Sequence, residues 1–247
     1  MGTHDYDKIK GPITYEAKKP EDIVFQALKQ TESMNTVQLF EKLKGDQKLK
    51  KYLGILEDKP LYPVFYDSTG QVLSLPPIIN SENTKISLDT KNVFIEMTGT
   101  DLHKLEICLI IVAGLFSSHC EGESKYTIEQ VEVHHERDGK TQVFPELKYH
   151  EFEVELNYIN RTLGLNIDVE KTKECAEKMG LVVKGVSPDQ KALNFEIPPT
   201  RSDIMHACDI AEDIGISYGY NNIELEFPPT NTIGKQIPEN KFSDLIR

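Results

Sequence analysis

Four acidic residues lie close together in the segment "IPPTRSDIMHACDIAEDIGISYGYNNI", residues 197–223: Asp203, Asp209, Glu212 and Asp213. In a helix over 204–218, the last three are at positions i, i+3 and i+4 and share one side. The other side is apolar and carries Ile204, Ala207, Ala211, Ile214 and Tyr218. This pattern is typical of a solvated helix face. A Mg²⁺ site whose remaining oxygens come from a partner is the alternative, which the geometry alone favours less.

Glu96 and Thr98 form a second candidate pair, in the segment "NVFIEMTG". Its alternation predicts a strand, and residues two apart on a strand share one face. The two side chains could therefore enter a single pocket. An exposed strand residue is the alternative for Glu96.

Four histidines were considered and suggest no site of their own. His134 and His135 are adjacent on a predicted strand and face opposite ways, whereas His103 and His206 fall in predicted helices. We find no Ser-His-Asp pattern and no glycine-rich phosphate loop.

The elements before residue 148 predict an antiparallel-rich sheet and one buried helix. Helices are expected at 22–30 and 35–56, the second capped by Asn35 or Thr36 and broken near Gly45. The turns "DSTG" and "RDGK" predict two hairpins. A helix starting near Thr100 has enough apolar positions to be buried on more than one side.

The pattern changes near residue 148, where we place a domain boundary. We expect helices at 151–164 and 168–180, then two strands at 181–186 and 192–197, then the acidic helix. The prediction is an α+β chain. It has a mixed domain at 1–148, a small winged-helix-like α+β domain at 149–228 and a linker at 229–247.

Composition narrows the classes of function. Forty acidic against twenty-eight basic residues give a formal charge of −12, which argues against tight nucleic-acid binding by this chain alone and makes DNA an improbable partner. The longest apolar run, residues 107–116, is too short to cross a bilayer. No leader pattern is found, and four scattered cysteines indicate small core residues in a reducing compartment such as the cytoplasm.

Two segments resemble one family. The stretch "PPTRSDIMHACDIAEDIGISYGYNNI" is similar to the B-five-type module of phenylalanyl-tRNA synthetase beta subunits of the eukaryotic and archaeal type. The stretch "VFYDSTGQVLSLPPIINSENTKISLDTKNVFIEMTGTD" resembles the tRNA-binding and editing domain of the same subunits. The two occur in the family's order.

The resemblance implies a part of an aminoacyl-tRNA ligase subunit. Its first domain would hydrolyse mischarged Tyr-tRNA(Phe), and its tail would lead to a catalytic-like module. The implied partners are tRNA(Phe) and an alpha subunit, in an (αβ)₂ assembly that charges tRNA(Phe) in an ATP-dependent reaction. This chain has no class II synthetase motif, so we expect no amino-acid activation by it. A non-catalytic scaffold for assembly and tRNA placement is the alternative.

The resemblance also assigns residues. Ser74, Glu96 and Thr98 would line the editing pocket, with Phe65 as a fourth contact. Glu96 would bond the tyrosyl hydroxyl or the α-amino group, and Ser74 and Thr98 would contact the ligand or position water. Asn80 and Asp101 are weaker candidates, since Asn80 could brace a loop and Asp101 could favour the first helix turn by charge.

The acids of the later segment would bind a Mg²⁺ ion shared with the alpha subunit: Asp203, Asp209, Glu212 and Asp213. Asp213 is one methylene shorter than the Glu of many relatives. Without the partner's oxygens, we expect weak or absent binding of the ion.

Overall fold

The computed structural model describes residues 1–227, 230 and 234–247. The chain divides into two compact units, residues 1–147 and residues 148–247. Each is described by itself below.

The first unit contains ten short strands in antiparallel pairs. They are β1 (Gly2–Asp5), β2 (Thr14–Lys18), β3 (Val24–Phe25), β4 (Met34–Asn35), β5 (Tyr62–Tyr66), β6 (Val72–Leu75), β7 (Ile79–Asn80), β8 (Val93–Glu96), β9 (Val131–His135) and β10 (Lys140–Phe144). The largest sheet has the order β2-β5-β6-β7, and the pairs β1-β8, β3-β4 and β9-β10 complete the set. The two expected hairpins are β5-β6 and β9-β10.

Three helices accompany these strands: α1 (Thr36–Leu43), α2 (Lys50–Leu53) and α3 (Leu102–Ser117). Asn35, one of the two predicted caps, is the N-cap of α1, and it forms a reciprocal capping box with Gln38. Leu39, Phe40 and Leu43 of α1 pack into a core with residues of β5 and β6. The helix expected at 22–30 is wrong, because Val24 and Phe25 pair with β4 instead. β-branched and aromatic residues favour such pairing.

The apolar helix α3 differs from its prediction in two ways. Its N-cap is Asp101, which accepts the backbone N–H of Lys104, rather than Thr100. Burial on more than one side is also wrong, since only Ala113 and Ser117 of its 16 residues are buried.

The second unit consists of a three-stranded antiparallel sheet, helices that pack against it and an exposed terminal helix. Its elements are β11 (His150–Glu155), α4 (Leu156–Leu163), α5 (Val169–Lys178), β12 (Val182–Val186), β13 (Ala192–Ile197), α6 (Ala207–Tyr218) and α7 (Pro238–Ile246). The sheet order is β11-β13-β12. A core of its own includes Ile159, Phe195 and Ile214. The overall α+β class is confirmed.

Two segments of this unit differ from the sequence prediction. Residues 151–155 belong to β11 rather than to the following helix, because Phe152 and Val154 alternate towards the core while their neighbours remain exposed. The helix does end at Gly164, which has a left-handed φ of 69°. Within the segment expected as a linker, α7 is helical, whereas 228–229 and 231–233 lie outside the described residues.

Two further expectations concern cysteines and membranes. Only Cys175 is buried, and Cys108, Cys120 and Cys208 are exposed, so the expectation of four core cysteines is wrong. Over the described ranges, no helix has both the length and the apolar character needed to cross a bilayer.

Candidate functional site

A buried hydroxyl–carboxylate pair joins two of the sheets of the first unit. The Ser74 hydroxyl donates to Glu96 Oε1 over 2.8 Å. Ser74 is 1% exposed and Glu96 is 6% exposed. Both residues are candidates from the sequence, and the fold brings them into direct contact.

Strand pairing explains the position of Ser74. It lies directly opposite Phe65 of β5 on one side and Asn80 of β7 on the other. Directly opposed residues of antiparallel strands present their side chains on the same face. Three candidate residues therefore form one row across the sheet, and Tyr15 of β2 extends it beyond Phe65.

Glu96 ends β8, where it pairs with Gly2 of β1. A Cβ on Gly2 would overlap both Glu96 Oε1 and His4 Nε2, so the close approach of these groups requires glycine here. The sequence pattern identifies Glu96 as a strand residue. It does not identify the strand that covers it.

His4 is a member of this cluster that our sequence analysis did not consider. Its Nδ1 lies 2.8 Å from the Thr84 hydroxyl, and its Nε2 lies 3.8 Å from Glu96 Oε1. The side chain is fully buried. A histidine in a short strand between small and polar residues is an uncommon core residue, and that was the available signal.

Two atoms of the cluster are buried without a hydrogen-bond partner: Glu96 Oε2 and His4 Nε2. A buried polar atom left unpaired costs about 1–3 kcal/mol. Buried side-chain polar atoms usually have a partner, so each exception needs an explanation. An acceptor and a ring nitrogen lying together could bind a ligand that supplies a hydroxyl or an amine.

The other candidates of this unit are placed differently. Thr98 is half-buried, two residues past the end of β8, so the strand alternation that would align it with Glu96 stops before it. Asp101 is exposed and caps α3. The backbone N–H of Lys104 lowers the pKa of its carboxyl.

Two of the four acids in the second unit pair with an arginine. Arg201 donates from Nε to Asp203 Oδ1 over 3.0 Å and from Nη2 to Asp203 Oδ2 over 2.8 Å. The same Nη2 lies 2.7 Å from Asp213 Oδ2 as an ion pair, although that oxygen is not aligned for a hydrogen bond. Arg201 Nη1 also donates to the Met179 carbonyl. The hydrogen bonds to Asp203 raise the pKa of Arg201, and the negative charge of Asp213 raises it further.

The position of Asp213 differs from the one that the helix projection predicts. It is 5% exposed, between Ile210 and Ile214 of the core, rather than on the solvated side with Asp209 and Glu212. The projection misplaced Asp213 because it considered apolar residues alone and not a pairing with the half-buried Arg201.

Asp209 serves the start of α6. Its Oδ2 accepts the backbone N–H groups of Met205 and His206, each over 2.8 Å. These bonds lower the pKa of the Asp209 carboxyl. Glu212 is exposed.

The four acids therefore do not form a magnesium site as they stand. Arg201 neutralises two of them and backbone groups engage a third. No set of three or more His, Cys, Asp or Glu side chains converges as metal ligands in the part of the chain that the structure describes. The donor set does not fit Mg²⁺, which requires free carboxylate oxygens.

Two surface depressions lie away from both clusters. One, of about 320 Å³, is lined by Glu106, Gln142, Val143, Phe144 and Glu146. The other, of about 190 Å³, is lined by Glu153, Gly185, Val186, Ser187, Ala192 and Asn194. Neither includes a candidate residue.

Comparison with known proteins gives a consistent result. Residues 1–106 match the family model of the B3/4 domain, and residues 152–220 match that of the tRNA synthetase B5 domain. The chain is 46% identical over 247 residues to the phenylalanine–tRNA ligase beta subunits of Mus musculus and of Homo sapiens. The cytoplasmic beta subunit of Arabidopsis thaliana is 44% identical over 249 residues. Each alignment covers 100% of this chain and 41% of the relative.

A solved structure agrees with the fold. An N-terminal fragment of the phenylalanyl-tRNA synthetase beta subunit from Pyrococcus horikoshii has a TM-score of 0.77 and 38% identity, covering 89% of this chain and 59% of that one. The chain thus spans about two fifths of the length of its curated relatives. Along its whole length, the chain belongs to the family of phenylalanine–tRNA ligase beta subunits.

Proposed function

We propose that the first unit is the editing domain of a phenylalanine–tRNA ligase beta subunit and hydrolyses the ester of Tyr-tRNA(Phe). The observation that carries this proposal is the unpaired, buried Oε2 of Glu96 beside Ser74 and His4. Phenylalanine and tyrosine differ by one hydroxyl. A site built to bond that hydroxyl rejects the analogue that lacks it.

In this proposal, the tyrosyl hydroxyl donates to Glu96 Oε2. Ser74 holds the other carboxylate oxygen, so the group is oriented before the ligand arrives. A phenylalanyl ring would enclose the same oxygen without supplying a donor and would leave the cost of about 1–3 kcal/mol in place. Selectivity for tyrosine follows from that difference.

Hydrolysis itself needs no protein nucleophile. Water adds to the ester carbonyl, the bond to the ribose oxygen breaks, and the products are tyrosine and tRNA with a free terminal hydroxyl. We propose that the neighbouring ribose hydroxyl assists the attack of water on the ester. The Ser74 hydroxyl is already engaged as a donor to Glu96. Phe65, Asn80 and Thr98 are proposed as wall contacts. Asp101 we assign to its helix cap.

We propose that the second unit serves assembly with an alpha subunit. In the cytoplasm, the (αβ)₂ enzyme would then charge tRNA(Phe) with phenylalanine, using ATP. The chain has a formal charge of −12, so tRNA placement would depend on that partner as well. No step here uses magnesium at α6, because Arg201 already pairs with Asp203 and Asp213.

The test is deacylation of Tyr-tRNA(Phe) by the alpha–beta enzyme and by the 247-residue chain. Glu96→Ala should lower the rate at least tenfold, since the hydroxyl loses its acceptor. Asp101→Asn is the matched control: it removes a nearby carboxylate, keeps a capping side chain and should deacylate at the wild-type rate.

The rival is a scaffold without chemistry. It would be favoured if neither the chain nor the alpha–beta enzyme hydrolyses Tyr-tRNA(Phe) faster than buffer. Equal rates for the wild type and for Glu96→Ala would remove Glu96 from the proposal.

A further inference from the structure

An aromatic stack lies at the edge of the sheet that carries Ser74. The rings of Tyr15 and Phe65 are stacked with centroids 4.5 Å apart and an angle of 23° between their planes. Tyr15 belongs to β2, the edge strand of the sheet order β2-β5-β6-β7. One side of its ring is covered by Phe65.

Tyr15 is not a core residue, so packing in the core does not explain why an aromatic ring is at this position. The residue is 53% exposed, whereas Phe65 beside it is half-buried and Ser74 is fully buried. Directly opposed pairs connect Tyr15 to Phe65 and Phe65 to Ser74. The row therefore leads from an exposed aromatic ring at the edge to the buried Ser74, whose hydroxyl donates to the Glu96 carboxylate.

Tyr15 is close enough to Glu96 to feel its negative charge. Burial raises the pKa of the Tyr15 phenol, and the negative charge of Glu96 raises it further. Tyr15 and Ser74 are separated by two strand spacings, which is about 10 Å. A tyrosyl group whose hydroxyl reaches Glu96 would extend its ester towards the Tyr15 end.

We propose that Tyr15 is a stacking platform for the nucleobase next to the scissile ester, the terminal adenine of the charged RNA. This inference rests on the proposed editing function, in which the tyrosyl hydroxyl is at Glu96 and the ester lies away from it. Adenine presents a flat face, and stacking of a base on an aromatic side chain contributes binding energy without base-specific hydrogen bonds.

The test uses the absence of tryptophan from the sequence. Tyr15→Trp introduces a single indole into the 247-residue chain. Adenosine and the non-hydrolysable 3′-(tyrosylamido)adenosine should both quench its fluorescence saturably, whereas tyrosinamide should not. Absence of quenching by both adenosine compounds would overturn the proposal.

A second measurement does not depend on the introduced indole. The Kd of 3′-(tyrosylamido)adenosine should rise about tenfold in Tyr15→Ala and return towards the wild-type value in Tyr15→Phe, which keeps the ring. Tyr52→Ala, another exposed tyrosine of the first unit, is the matched control. Equal Kd values for the wild type and for Tyr15→Ala would refute the platform.

These readouts are separate from hydrolysis. If neither the chain nor the alpha–beta enzyme hydrolyses Tyr-tRNA(Phe) faster than buffer but adenosine still quenches, the editing proposal fails and the base platform stands. If editing depends on Glu96 but adenosine compounds bind independently of residue 15, only the platform fails.

Discussion

Gly2 determines how closely β1 approaches the Glu96 carboxylate. Because a methyl group there would overlap Glu96 Oε1 and His4 Nε2, we expect Gly2→Ala to displace one of these groups. The variant should lose stability by about 1–3 kcal/mol, as overpacked sites do. Deacylation of Tyr-tRNA(Phe) should fall at least tenfold.

Gly54→Ala is the control for this experiment, since nothing lies within 4 Å of a Cβ at that position. Its φ of −59° also suits any residue. Urea unfolding separates stability from activity. A folded Gly2→Ala variant that deacylates at the wild-type rate would show that the carboxylate position is unimportant.

For single residues, the sequence predicts which residues belong to the site better than it predicts which residues they contact. Glu96 and Ser74 were candidates, and their contact depends on two strands more than twenty residues apart. His4 was overlooked because its relation to Glu96 spans most of the first unit. Local periodicity contains no information on such pairing.

Among the elements, the loop before α6 depends on Arg201, which connects the end of α5 to Asp213 of α6. Arg201→Met would leave Asp213 buried without a cation. Breaking such a pair from one side costs about 3–5 kcal/mol. Because Arg201 is partly exposed, we expect the lower end, about 3 kcal/mol, in urea unfolding of the second unit.

A double variant distinguishes the unpaired charge from lost packing. Arg201→Met with Asp213→Asn should be more stable than Arg201→Met alone, since the uncompensated charge is gone. Arg161→Met, an exposed arginine of α4, should change little. Equal stability of the single and double variants would mean that Asp213 does not need Arg201.

Elements with clear end signals were predicted best. Asn35 starts α1 and Gly164 ends α4, each through a local interaction that the sequence contains. The segments 22–30 and 151–155 were predicted as helices because their apolar spacing suits both periods. Partner strands decide such cases, and those partners are distant in sequence.

For the whole molecule, the two units have separate cores. We therefore expect residues 148–247 alone to unfold cooperatively in urea, at a midpoint close to that of the corresponding transition in the full chain. Removing 148–164 as well would delete Val154 and Ile159 from the core and should abolish the transition. A non-cooperative 148–247 would show that its core requires the first unit.

The exposure of α3 has a practical consequence. Leu102 is 55% exposed and Leu115 is 64% exposed, and Ile111 and Phe116 are each 37% exposed on the same 16-residue helix. Dyes such as ANS bind accessible apolar surface, which is normally taken as a sign of partly unfolded protein. This chain should fluoresce with such a dye while fully folded. Its thermal stability is therefore better followed by circular dichroism than by a dye-based melting assay.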